Sequence, residues 1–319
     1  MPDSFFSEAL VNQIQNKKSY ICIGLDPNFD GVKSIPKHLM EENQHDSTKA
    51  ILEFNKSIID KTHHITPIYK LQSAFYEKYF AYDAIKLTIN HIHSYGGLAI
   101  LDAKRNDIGN TAKAYAISVF DNYKADAVTI NSYLGIDGVK PFMEYEEKGI
   151  FALVKTSNKS SGQFQDLFAT KQDADPGQMT WDLSGTTTLK RNYVHMAELV
   201  NSWAQESKIT KGYSGMGAVV GATYPHELKE LRRVMPHSFI LIPGYGAQGG
   251  SAEAVVNGIN PDGYGAIVNS SRGIDYAYVK ELAGKRFTPE EYAEAASEAA
   301  QLMRMDINDA IEKANLLPW

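Results

Sequence analysis

The sequence has one cysteine, Cys22. A lone thiol can form neither an internal disulfide nor a cysteine-based zinc site, so a chain held together by packing in a reducing cytoplasm is expected. Long apolar runs are also missing: no stretch of about 18 residues is apolar enough to cross a bilayer as a helix. The first residues, MPDSFFSEALVNQIQNKKS, lack the charged-then-apolar layout of a secretory leader. They read as a short amphipathic helix capped near Asp3 or Ser4. Excess positive charge is absent too. A net charge of −6 argues against a general nucleic-acid binder, while leaving room for a local basic pocket around one phosphate. The histidine pairs His63–His64 and His91–His93 lack the three- or four-residue spacing that puts two ligands on one helix face. They read as solvated helix histidines, and no metal is expected.

What is present is an apolar fraction of 43%, enough for a large core without staples. Short β-branched or apolar runs occur at 20–25, 67–71, 98–104, 127–132, 150–156, 218–223, 239–243 and 264–269. Helical patterns lie between them at about 47–64, 76–95, 110–123, 136–148, 188–207, 225–235, 250–257 and 274–283. A last one covers 289–314. Eight strands alternating with eight helices predict an α/β fold, a (β/α)8 TIM barrel forming a single domain with extra N-terminal and C-terminal helices. Periodicity leaves an open doubly wound sheet as the alternative. Cys22 falls in the first run and reads as a small buried hydrophobe. Residues 157–187 form the longest irregular stretch, and a loop of that length is usually functional or mobile.

The most informative segment is Leu101-Asp102-Ala103-Lys104-Arg105-Asn106-Asp107-Ile108-Gly109. Alternate residues of a strand share a face, so Asp102 and Lys104 are expected to point with Leu98 and Ile100 into the barrel. A carboxylate and an ammonium at the end of a buried strand are costly unless paired. That end of a barrel is where chemistry is done. A structural ion-pair network at the rim is the plainer reading. Asp26 at the end of strand one and Lys70 near the end of strand two weaken it, because three consecutive strands then send charge to one rim.

The run Pro243-Gly244-Tyr245-Gly246-Ala247-Gln248-Gly249-Gly250 follows strand seven. Glycines let backbone N–H groups approach an anion, and a following helix adds its positive end. Strand eight ends in Asn269-Ser270-Ser271-Arg272-Gly273, where Arg272 can grip a phosphate with two N–H groups. Either feature alone could be a plain loop. Together they match the recurrent phosphate site after strands seven and eight of such barrels.

These residues resemble the orotidine 5'-monophosphate decarboxylase family. The likeness rests on Asp102-x-Lys104-x-x-Asp107 with Ile108-Gly109-x-Thr111, on Asp26 and Lys70, and on the PGYGAQGG turn and Arg272. It runs from strand one to strand eight. The phrases LDAKRNDIGNTAKAYA and ALVKTSN look most like the longer bacterial branch. The resemblance implies that Lys104 protonates C6 of the pyrimidine beside Asp102, in an alternating Lys70–Asp102–Lys104–Asp107 array. It implies that Asp107 and Thr111 reach the neighbouring subunit's site in a homodimer. Asp26 and Lys70 would hold ribose hydroxyls and Ser157 the pyrimidine. Ser271, through its backbone, and Arg272 would hold the phosphate, with Gln248 bridging toward it. Two positions depart from the family pattern. The 157–187 segment is longer than in compact members, and Asn106 stands where glycine is common.

The implied reaction leaves charge on a ring carbon with no π-acceptor, and no pyridoxal or thiamine sink is suggested, so no cofactor is expected. A fixed ammonium would stabilise the charge and then donate a proton. One rival is a magnesium-dependent sugar-phosphate decarboxylase or aldolase of the same superfamily, which shares Asp-x-Lys-x-x-Asp but needs an acidic metal ligand where Lys70 stands. Another is a non-catalytic binder of phosphoribosyl ligands, for which an unused buried charge array would be costly.

Overall fold

The computed structural model describes residues 4–170, 189–222, 225–246 and 250–319. Eight parallel strands close into a barrel. In chain order they are Ile21–Leu25, Ile68–Gln72, Leu98–Arg105, Ala127–Ile130, Gly149–Lys155, Met216–Val220, Ile240–Ile242 and Ala266–Ser270. Each pairs with its neighbours in chain order, and the first closes on the eighth, Ile21 opposite Val268 and Ile23 opposite Ser270. The closed barrel therefore holds and the open sheet does not. Strand one, ICIGL, and strand six, MGAVV, are buried along their whole length, as strands covered on both faces must be. Cys22 is fully buried in strand one, and burial pushes its thiol up to about 12.

The helices form the outer ring. Helix Ser47–Thr62 begins at Asp46, whose carboxylate accepts the N–H groups of Thr48 at 3.0 Å and Lys49 at 3.2 Å, satisfying donors that have no partner within the helix. It buries Ile51, Phe54 and Ile58. Helix Tyr292–Lys313 follows a capping box between Thr288 and Glu291 and packs against Ser47–Thr62. The Phe54 ring stacks on Tyr292 at 5.1 Å and on Tyr276 at 6.0 Å. The N-terminal helix Phe6–Lys17 packs at the opposite end of the barrel from the charged rim. Phe6 meets Phe151 edge-on at 6.0 Å, and a Cβ on Gly149 would lie 2.4 Å from the Phe6 ring.

Several elements differ from expectation. The N-terminal helix is capped by backbone, not by Ser4: Phe5 is its N-cap, and Phe6 donates its N–H to Glu147 O at 3.0 Å. Asp3 lies outside the described residues. The pattern at 76–95 is two helices, Ser73–Lys78 and Tyr82–Ser94, broken at Phe80, whose φ is 52°. The expected helix 274–283 is one turn, Arg272–Asp275, a 3₁₀ turn, Ala277–Val279, and a hairpin pairing Glu281–Leu282 with Lys285–Arg286. Of the 157–187 stretch, Gly162–Gln165 makes one helical turn and Phe168–Ala169 pairs with Lys190–Arg191. Residues 171–187, Trp181 among them, lie outside the described residues.

Candidate active site

Strands two and three stand side by side, Lys70 opposite Ile100 and Gln72 opposite Asp102. That register lets three side chains converge. Lys70 Nζ donates to Asp102 Oδ2 at 2.9 Å and lies 3.6 Å from Asp26 Oδ1. Gln72 donates to the same Asp102 oxygen at 3.0 Å. On the other oxygen, Asp102 Oδ1 receives Lys104 Nζ at 2.6 Å and the Thr129 hydroxyl at 2.7 Å. Each oxygen of this buried carboxylate thus has two donors. Burial works against the charge of Asp102. Lys70, Lys104 and the Thr129 hydroxyl outweigh it and hold the carboxyl well below the usual range. Lys70 is the mirror case: burial favours losing its proton, and Asp102 and Asp26 outweigh that and raise its pKa.

Lys104 meets Asp102, but not by strand alternation. Its φ is 46°, a left-handed conformation that costs a residue with a side chain about 1–3 kcal/mol unless its surroundings enforce it. The ladder to strand four jumps from Leu101 to Arg105, and the Lys104 N–H donates instead to Thr129 Oγ1 at 3.0 Å. The ammonium end of Lys104 stays accessible, its side chain 44% exposed.

Two adjoining cavities lie over this cluster. One, of about 470 Å³, is lined by Lys70, Asp102, Lys104, Ser157, Leu153 and Val219. The other, of about 260 Å³, runs from Asp26 and Lys70 to Ser271 and Arg272. Lys70, Asp102, Pro243 and Asn269 border both. A more apolar compartment thus adjoins a polar one that ends in a cation.

At the cationic end, close packing dictates glycine. A Cβ on Gly24 would stand 2.0 Å from Ser271 Oγ. Gly244 and Gly246 take φ of 94° and 70°, which only glycine adopts freely. The N–H of Gly246 is used within the turn, on Gly250 O at 3.0 Å, and that of Gly250 on Gly244 O at 3.3 Å. Those two N–H groups are therefore spent inside the turn. Arg272 is exposed at the start of its single helical turn. Gln248 lies outside the described residues.

The structure thus brings together Asp26, Lys70, Asp102 and Lys104, with Ser157, Ser271 and Arg272 on the same two cavities. It does not bring Asp107 or Thr111 to them within one chain. Asp107 accepts the N–H of Ile108 at 2.9 Å and makes no ion pair among the described residues, and Thr111 is exposed. Sequence reasoning missed Gln72, Thr129 and Asp275. Gln72 was findable, two residues beyond Lys70 on the same strand face. Thr129 is the one hydroxyl in the run AVTI. Three of the four histidines are more tightly held than solvated: His91 pairs with Asp60 at 2.6 Å, His93 with Asp126 at 2.8 Å, and His63 stacks on Tyr95 at 4.0 Å, while His64 is exposed as expected. Carboxylates on neighbouring elements explain the first two.

A model of the orotidine 5'-phosphate decarboxylase / HUMPS family matches residues 19–287, from strand one through the hairpin after strand eight. The chain belongs to this family. Among its relatives, the orotidine 5'-phosphate decarboxylase of Rhodopirellula baltica is 38% identical over 289 residues, covering 86% of this chain and 90% of the relative. That of Petrotoga mobilis is 37% identical over 306 residues, covering 94% and 97%. The crystal structure of a putative orotidine-monophosphate-decarboxylase from Toxoplasma gondii superposes with a TM-score of 0.78 at 33% identity, covering 97% of both chains. The Leishmania donovani OMP decarboxylase gives 0.70 at 29% identity, covering 96% and 98%. The fold and the family agree with the resemblance carried by the charged rim.

Proposed function

We propose that the charged cluster at the rim carries out this family's reaction through side chains alone. The chain is a decarboxylase, a carbon–carbon lyase that converts orotidine 5'-phosphate to uridine 5'-phosphate and CO₂ in pyrimidine synthesis. The observation that carries the mechanism is the Lys70–Asp102–Lys104 chain of contacts at the junction of the two cavities. Breaking the bond to CO₂ leaves its electron pair on C6. Lys104, held at 2.6 Å from Asp102, stabilises that pair by its charge and then gives C6 a proton. Asp102 faces the departing carboxylate and keeps its place through four donors. Asp26 and Lys70 hold the ribose, Ser157 the pyrimidine, and Ser271, Gln248 and Arg272 the phosphate. No step is assigned to a metal or organic cofactor.

Asp107 and Thr111 complete the site of a second subunit in this reading. Ile108, next to Asp107, and Leu134, which borders Gly138 together with the Asp107 carbonyl, are exposed and offer the apolar surface a subunit contact needs. In this reading the chain is a single barrel domain spanning 1–319 that works in the cytoplasm, and most of the 157–187 segment lies outside the described residues. A magnesium-dependent sugar-phosphate enzyme is disfavoured by Lys70, a buried cation where a metal ligand would be needed. Loss of orotidine 5'-phosphate absorbance with EDTA-treated protein tests the reading. A folded protein with no turnover would refute it.

A further inference from the structure

The single helical turn Arg272–Asp275 carries a cation at its first position and a carboxyl at its last. Arg272 lines the polar cavity. Asp275 is fully buried, and its Oδ2 accepts the backbone N–H of Asp26 at 3.0 Å. The next residue, Tyr276, donates its hydroxyl to the backbone carbonyl of the same Asp26 at 2.7 Å. Both backbone polar groups of Asp26 are thus held by one short segment that begins at the phosphate-gripping arginine. Asp26 in turn stands 3.6 Å from Lys70, which holds Asp102.

The remaining oxygens are unusual. Asp275 Oδ1 and Asp26 Oδ1 are both buried without a hydrogen-bond partner. The groups facing Asp275 are Asp26, Lys70, Tyr76 and Tyr276. A fully buried carboxylate with one N–H donor and another carboxylate beside it favours its neutral form. Burial first, then Asp26, holds its pKa well above the usual range, with Lys70 only partly offsetting them.

We propose that Asp275 and Tyr276 are positioning residues that couple the Arg272 anion site to the Asp26–Lys70 pair, a reading that rests on the functions proposed above for Arg272 and Asp26. A phosphate seated on Arg272 fixes the near end of the turn, and the far end then fixes the Asp26 backbone. Binding energy from the remote phosphate reaches the reacting end by this route.

The test compares kcat/KM for orotidine 5'-phosphate and for orotidine, which lacks the phosphate, in wild type, Asp275→Ala and Asp275→Asn. Asp275→Ala is expected to lose about tenfold on the phosphorylated substrate and less than about twofold on orotidine. Asn offers the same acceptor to the Asp26 N–H and is expected to recover activity to within about threefold of wild type. Equal losses on both substrates, or an Asn variant as poor as the Ala variant, overturn the coupling. If Asp275→Ala does not fold, Tyr276→Phe gives the same comparison by removing one hydroxyl. A wild-type protein without turnover refutes the functional reading instead. The coupling is then read from calorimetric binding of uridine 5'-phosphate against uridine, with the same selective loss expected and an equal loss overturning it.

Discussion

Thr129 donates its hydroxyl to Oδ1 of Asp102 at 2.7 Å. The same hydroxyl oxygen receives the backbone N–H of Lys104 at 3.0 Å, so one side chain on strand four fixes both Asp102 and Lys104 on strand three. Thr129→Val keeps the shape and removes both bonds. It leaves a strained N–H without its acceptor, at a cost of about 1–3 kcal/mol. The expected result is a fall in kcat of about tenfold to a hundredfold with a normal circular dichroism spectrum. Unchanged kcat would show that Lys104 is placed by something else.

Asp102 links the site to stability. Its folded pKa is depressed, so its contribution is present above the ordinary carboxylate pKa and is lost as pH falls through the folded value. Asp102→Asn leaves Lys70 buried beside fewer charges and is expected to cost about 3–5 kcal/mol at neutral pH. Urea denaturation from pH 7 downward should show wild-type stability dropping toward that of the variant below about pH 4. Parallel curves would contradict the assignment.

Asp275 has the opposite sign. Its folded pKa is raised, so its contribution is complete below the ordinary carboxylate pKa and is lost as pH rises through the folded value. Asp275→Asn should therefore gain stability relative to wild type above about pH 4, and the gain should level off once the folded carboxyl ionises. Denaturation midpoints at a series of pH values measure it. A constant difference would mean that Asp275 titrates as it does in the unfolded chain.

Most of the barrel was legible because its strands are short β-branched or apolar runs, each located within a few residues. The split at Phe80 was not, because helix-forming residues continue through it and no glycine or proline marks the positive φ. The first half of the hairpin Glu281–Arg286 was read as the end of a helix over 274–283, because IDYAYVKELA has a helical spacing; the positive φ of Ala283 and Gly284 makes the turn instead. In the site, Asp26, Lys70, Asp102 and Arg272 stood out as charges at strand ends. The twist at Lys104 did not, since a lysine gives no sign of a left-handed backbone. Asp275 was hidden within an expected helix, and its contact with Asp26 exists only once the first and eighth strands close.

Asp107 stands apart from the cluster in its own chain, and the shared-site reading makes that a measurable property. Lys104→Ala and Asp107→Ala proteins should each be inactive alone. Mixed in equal amounts under exchange, half the dimers are hybrids with one intact site, restoring about a quarter of wild-type activity. No recovery in hybrids confirmed by mass spectrometry would place Asp107 outside its neighbour's chemistry.

The most direct test is single-turnover decarboxylation of orotidine 5'-phosphate by EDTA-treated wild type and Lys104→Ala. Asp102 keeps Lys70, Gln72 and Thr129 as donors in the variant, so folding and binding of uridine 5'-phosphate should survive. Wild type is expected to turn over without metal, and the variant to lose at least about a thousandfold. Turnover by Lys104→Ala within about tenfold of wild type would contradict that expectation.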